Sequence, residues 1–88
     1  MADLVRQAEK AILRYILLHR GARDTIEGIE KWWLPQSRPY SVADVAAALH
    51  CLAEHRLIRV WEPASAEPVY GLEADNLPSL EAYLRELQ

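Results

Sequence analysis

Cys51 and His55 stand four residues apart, a spacing that puts both on one face of a helix. A thiol and an imidazole so placed are raw material for a zinc site or an activated nucleophile. Zinc, however, needs about four such ligands. His50 lies close by, but the paired Cys and His spacings that complete a site are missing from the chain. His19 falls on the apolar side of the first predicted helix, where a histidine packs or caps carbonyls rather than binds metal. The chain also carries no glycine-rich phosphate loop, no nucleophile elbow and no Cys–His–acid order of a known spacing. The expectation is a protein without catalytic residues, metal or cofactor: not an enzyme.

The remaining chemistry is charge, and it is unevenly placed. Residues 1–40 carry seven basic groups (Arg6, Lys10, Arg14, Arg20, Arg23, Lys31 and Arg38) and five acidic ones. Residues 41–88 carry three basic groups (Arg56, Arg59 and Arg85) and eight acidic ones, and the whole chain is at −3. The first part can attract anions and the second repels them.

These groups need elements to hold them. Eighty-eight residues make one domain over 1–88, and an apolar fraction of 51% permits a core. A domain of this size buries only ~60–65% of its unfolded surface, so low stability or dimerisation is expected. A single cysteine excludes an internal disulfide framework and fits a reducing cytoplasm. The N-terminal MADLVRQAEK has no apolar signal-peptide core, and apolar runs such as Tyr15 to Leu18 are far too short to span a bilayer. No membrane partner is expected.

The spacing predicts a helix from about Asp3 to His19, with Leu4, Ala8, Ala11, Ile12, Tyr15, Ile16 and His19 inward and Arg6, Lys10 and Arg14 outward. Leu13 and Leu17 fall beside the basic stripe, outside this core, and Gly21 is placed as a left-handed C′ residue. A second helix runs Thr25 to Leu34, capped by Asp24, with Ile26, Ile29 and Trp33 on one face and Trp32 on its flank. A third helix starts at the cap Ser41, with Asp44 three residues on and Tyr40 placed to pack on Val45. Val42, Val45, Ala46, Leu49, Leu52 and Ala53 form its buried stripe. Ala43, Asp44, Ala47, Ala48, His50, Cys51, Glu54 and His55 cover its outer arc. Leu57 to Glu62 alternates as a strand, with Ile58 and Val60 on one face and Leu57, Arg59 and Trp61 on the other. A loop with Pro63 and Pro68 at its ends leads to a return strand over Val69 to Leu72. Asn76 caps a last helix whose seam is Leu77, Leu80, Leu84 and Leu87.

Three helices and a hairpin in this order, carried by SVADVAAALHCLAEHRLIRV and VYGL, resemble the winged helix-turn-helix superfamily. The resemblance spans Ala8 to Leu72. It implies an α+β winged helix: a three-helix bundle with a two-stranded β wing over 1–72, followed by a C-terminal helix over 76–88. In that family the third helix enters the DNA major groove and the wing touches a neighbouring groove or the backbone. Here the third helix's outer arc offers Asp44 and Glu54 and no Lys or Arg, and the loop EPASAEP offers Glu62 and Glu67. DNA affinity rests on neutralising phosphates, so this face suits DNA poorly.

Two functions follow. The first is a non-enzymatic regulatory module that binds protein or its own copy through Leu13, Leu17, Trp32, Ala47, Cys51, Trp61, Leu80 and Leu84. In it, the terminal seam either folds back on the first helix or pairs across a two-fold axis. The alternative is a small DNA-binding transcriptional regulator. In that case Arg20, Arg23, Lys31, Arg38 and Arg59 hold the backbone while Ser41, His50 and His55 approach bases.

Overall fold

Ala8, Ile12 and Ile16 recur at four-residue steps and wind one apolar stripe along the first helix, α1 (Ala2–Leu18). The computed structural model describes residues 2–34, 40–64 and 66–87, and Arg38 lies outside them. The described residues form an α+β structure with four helical segments and a three-stranded antiparallel sheet. After α1 the chain turns through Ala22 N–H, which donates to the His19 carbonyl. Gly21 does not take the left-handed conformation expected of it. His19 is exposed, its ring lying 4.3 Å from that of Tyr15.

The chain then enters a strand that the sequence reading did not contain, β1 (Arg23–Asp24). The second helix follows as α2 (Ile26–Gly28), which widens into a π-helical turn over Ile29–Trp33. Its cap is Thr25 rather than Asp24: the Thr25 hydroxyl accepts from Gly28 N–H at 3.2 Å. Asp24 is held back in β1. Its carboxylate accepts from Thr25 N–H and occupies the place a side chain at Gly28 would need. The π-turn sends Trp33 inward, stacked on Tyr15 at 4.8 Å between centroids, and leaves Trp32 74% exposed.

The third helix, α3 (Val42–Glu54), begins as its sequence dictates. Ser41 accepts from Asp44 N–H, and the Asp44 carboxylate accepts from Ser41 N–H. Its buried stripe is Val45, Ala48, Leu49 and Leu52. Ala48, expected on the outer arc, is therefore inside, and Val42, expected inside, is exposed at the first turn. The helix ends in a Schellman motif: Leu57 N–H donates to the Leu52 carbonyl and Arg56 N–H to that of Ala53. Arg56 takes the left-handed position at φ 58°. Leu57 completes the motif as the apolar contact after the turn. That is why it is buried instead of sharing a strand face with Arg59 and Trp61.

Strands β2 (Ile58–Trp61) and β3 (Val69–Leu72) pair as expected, and β1 adds itself to the far edge of β3, giving the order β1-β3-β2. A 3-10 turn at Ala74–Asn76 leads into α4 (Leu77–Leu87). Asn76 sends its side-chain amide to the Arg56 carbonyl, tying the start of α4 to the end of α3.

The last helix resolves the two uses of the leucine seam. α4 packs back on α1, and Leu80 and Leu84 are buried in the core of this one chain. Leu13 is fully buried as well, and Leu17 packs partly against the core. The reason is geometric: Leu13 lies one turn beyond Glu9, on the side of α1 that meets α4 through Tyr83. Leu13, Leu80 and Leu84 therefore offer no surface to a partner, and the apolar area on which dimerisation was expected is used within the chain. No helix of the described residues is long and apolar enough to cross a membrane.

Candidate functional site

Alternation along the strands decides what the outer face of the sheet carries. Ile58 and Val60 face inward, so Arg59 and Trp61 face outward. Register places Arg59 opposite Gly71 and Trp61 opposite Val69, and Arg23 opposite Gly71 from the other side. Arg23, Gly71 and Arg59 thus form one row across the three strands.

Gly71 makes this row possible. A Cβ there would stand 3.0 Å from the Trp61 ring, 3.0 Å from the Ala22 carbonyl oxygen and 3.2 Å from Arg23 Cγ. Without it, the indole settles against the sheet. Arg23 and Arg59 bring their guanidinium groups over that ring, 4.2 and 5.3 Å from its centroid. At an exposed site each such contact contributes about 0.5–1 kcal/mol. With Arg20, Glu73 and Asp75, these two arginines line a cleft of about 310 Å³. Arg20, Arg23 and Arg59 are exposed, and no carboxylate lies within salt-bridge distance of them among the described residues.

A second polar feature lies between α1, α3 and α4. Glu9 is only 3% exposed, and its Oε1 accepts a hydrogen bond from the Tyr83 hydroxyl at 2.9 Å. Cys51 Sγ lies 3.7 Å from the same hydroxyl. Burial pushes the Tyr83 hydroxyl far above the ordinary phenol range, helped by its hydrogen bonds to Cys51 and Glu9. Burial also raises the Cys51 thiol, as does its hydrogen bond to Glu9, while the bond to Tyr83 works the other way. Cys51, expected as an open contact residue, is half-buried and takes part in this network. A nucleophile needs a depressed thiol pKa, so these surroundings are unsuited to thiolate chemistry.

The remaining candidates are scattered. Ser41 spends its hydroxyl on the helix cap. His50 pairs with Glu54 at 3.3 Å on the outer side of α3, and the His55 ring lies 5.1 Å from that of Tyr83. Ala47 and Lys31 are exposed. Among the described residues, no three His, Cys, Asp or Glu side chains converge as metal ligands would. The structure thus unites Arg20, Arg23 and Arg59 with Trp61, which sequence reasoning had divided between two functions. It adds Gly71, which sequence reasoning missed. The signal for Gly71 was a glycine inside a four-residue strand, a mark of close approach by another group. The chain matches no family model, no curated protein and no solved structure.

Proposed function

We propose that this chain is a non-enzymatic regulatory module of winged-helix type that works by binding protein. The order of three helices followed by a hairpin supports the fold assignment, with β1 as an added edge strand. The observation that carries the function is the separation of charge from the groove-reading helix. The outward side chains of α3 include Ala43, Ala47, His50 and Glu54 and no Lys or Arg. Three exposed cations, Arg20, Arg23 and Arg59, line one cleft with Trp61 instead. Arg and Trp are the residue types that dominate protein-binding hot spots, whereas a duplex needs cations beside the helix it admits.

One observation favours the alternative of DNA binding: Arg20, Arg23 and Arg59 lie together and could straddle a phosphate backbone. Anisotropy of labelled random-sequence duplex DNA, titrated with salt, separates the two. Three neutralised phosphates would give a slope of log K on log salt of about −2.7. The protein-binding reading expects no binding at micromolar chain in low salt. Micromolar affinity with that slope overturns it.

A further inference from the structure

The cleft beside Trp61 carries more than a general preference for proteins. Two guanidinium groups, from Arg23 and Arg59, lie over the Trp61 ring, and Arg20, Glu73 and Asp75 line the same cleft. Resting on the protein-binding reading above, we propose that this cleft docks a short peptide segment of a partner protein. The segment places an Asp or Glu side chain on Arg20, Arg23 and Arg59 and its neighbouring residue against Trp61.

Charge complementarity selects this occupant. An arginine fork binds a carboxylate or a phosphate equally well in geometry, so the surroundings must decide. A duplex presents a charge every ~1.7 Å along its axis. Laid on the arginines, it would also bring phosphates toward Glu73 and Asp75, which line the same cleft. A peptide has no such constraint. It presents one isolated carboxylate to the arginines and turns backbone N–H groups, or a basic neighbour, to Glu73 and Asp75. The cleft's size, about 310 Å³, is at the lower end of sites that enclose a small ligand and fits a side chain or two.

The arginines are prepared for this role. Arg23 and Arg59 hold their guanidinium groups over the indole, which restricts them before a ligand arrives and lowers the ordering cost of binding. Gly71 lets the indole sit low enough for both guanidinium groups to reach over it from neighbouring strands.

The test begins with an array of short peptides, each with a central Asp or Glu and varied neighbours, probed with the labelled full chain. The peptides retained are then titrated into isotope-labelled chain by NMR. Shifts are expected at the Trp61 indole N–H and at Arg23 and Arg59. The same peptides with Asn or Gln at the centre should bind at least tenfold more weakly, as should the Arg23→Gln/Arg59→Gln variant. Arg20→Gln lies outside the indole contact and should weaken binding severalfold with the rest of the spectrum unchanged. It keeps the test decisive if the double variant is misfolded. Absence of shifts on the sheet face at millimolar peptide, or equal binding by the amide peptides, overturns the proposal. If duplex DNA is also silent, only this proposal falls and the protein-binding reading stands. If duplex DNA shifts the same residues at lower concentration than any peptide, both fall.

Discussion

Replacing Tyr83 by Phe removes a single oxygen and tests the network at the heart of the helical layer. Its hydroxyl donates at 2.9 Å to Glu9 Oε1, and Glu9 is 3% exposed. A hydrogen bond to a charged group contributes about 1.5–3 kcal/mol, and a buried acceptor left short of a donor adds a desolvation cost. Tyr83 is itself half-buried, so water can partly replace it, and we expect a loss of about 1–2 kcal/mol. In a domain of this size, that lowers Tm by about 4–16 °C. The assay is thermal and urea unfolding followed by circular dichroism, on the chain, Tyr83→Phe, Glu9→Gln and the double variant. Glu9→Gln keeps an acceptor but removes its charge, so the cycle should return the excess of the charged over the neutral hydrogen bond, a coupling of at least ~0.5 kcal/mol. A Tyr83→Phe loss below about 0.3 kcal/mol, or additivity within that margin, would refute the claim that this bond holds α4 on α1.

Three further outcomes are expected. Arg56→Gly should raise stability by about 0.5–1 kcal/mol in the same unfolding assay. It relieves a left-handed L-residue at φ 58° while the backbone carbonyl that Asn76 engages stays in place. Gly71→Ala should destabilise by about 1–2 kcal/mol, because the added methyl meets backbone at Ala22 as well as the indole. The Trp61 indole resonance should move with it. Stability should fall with rising pH above about 9, because the Cys51 thiol and the Tyr70 and Tyr83 hydroxyls are all raised from ordinary values of 9.0 and 10.0. The native state then holds protons that the unfolded chain releases, so the stabilisation present below those values is lost above them. Denaturant midpoints measured from pH 8 to 11 check this, and Tyr83→Phe should flatten the decline.

Local signals made much of the helical layer legible. The Ser41–Asp44 capping box, the Val45–Leu49–Leu52 stripe and the Ala8–Ile12–Ile16 repeat are each written within a few residues. What stayed hidden depends on distant parts of the chain. β1 is two residues long and exists because β3, nearly fifty residues later, offers it an edge. No periodicity can be read from two residues. Leu13 looked peripheral because one apolar stripe explained α1, and a second partner helix widened the buried arc. Arg56 broke the rule that a helix ends on glycine, and the Leu57 N–H bond to the Leu52 carbonyl, with Leu57 buried, closes the motif without one. Trp61 and its arginines were each visible as residue types. Their union on one face required the register of a strand that the sequence did not announce.

The bond between Glu9 and Tyr83 joins positions 74 residues apart. Closing so long a loop costs chain entropy before any contact repays it, and contacts of this separation slow folding. Until α4 has been made, α1 would have to hide a carboxylate with no phenol to donate to it, beside a Leu13 with less apolar cover. The helix that opens the fold is therefore expected to reach its final packing late. A chain cut at residue 72, although it retains three helices and the whole sheet, should behave as a loosened intermediate rather than as a smaller native domain.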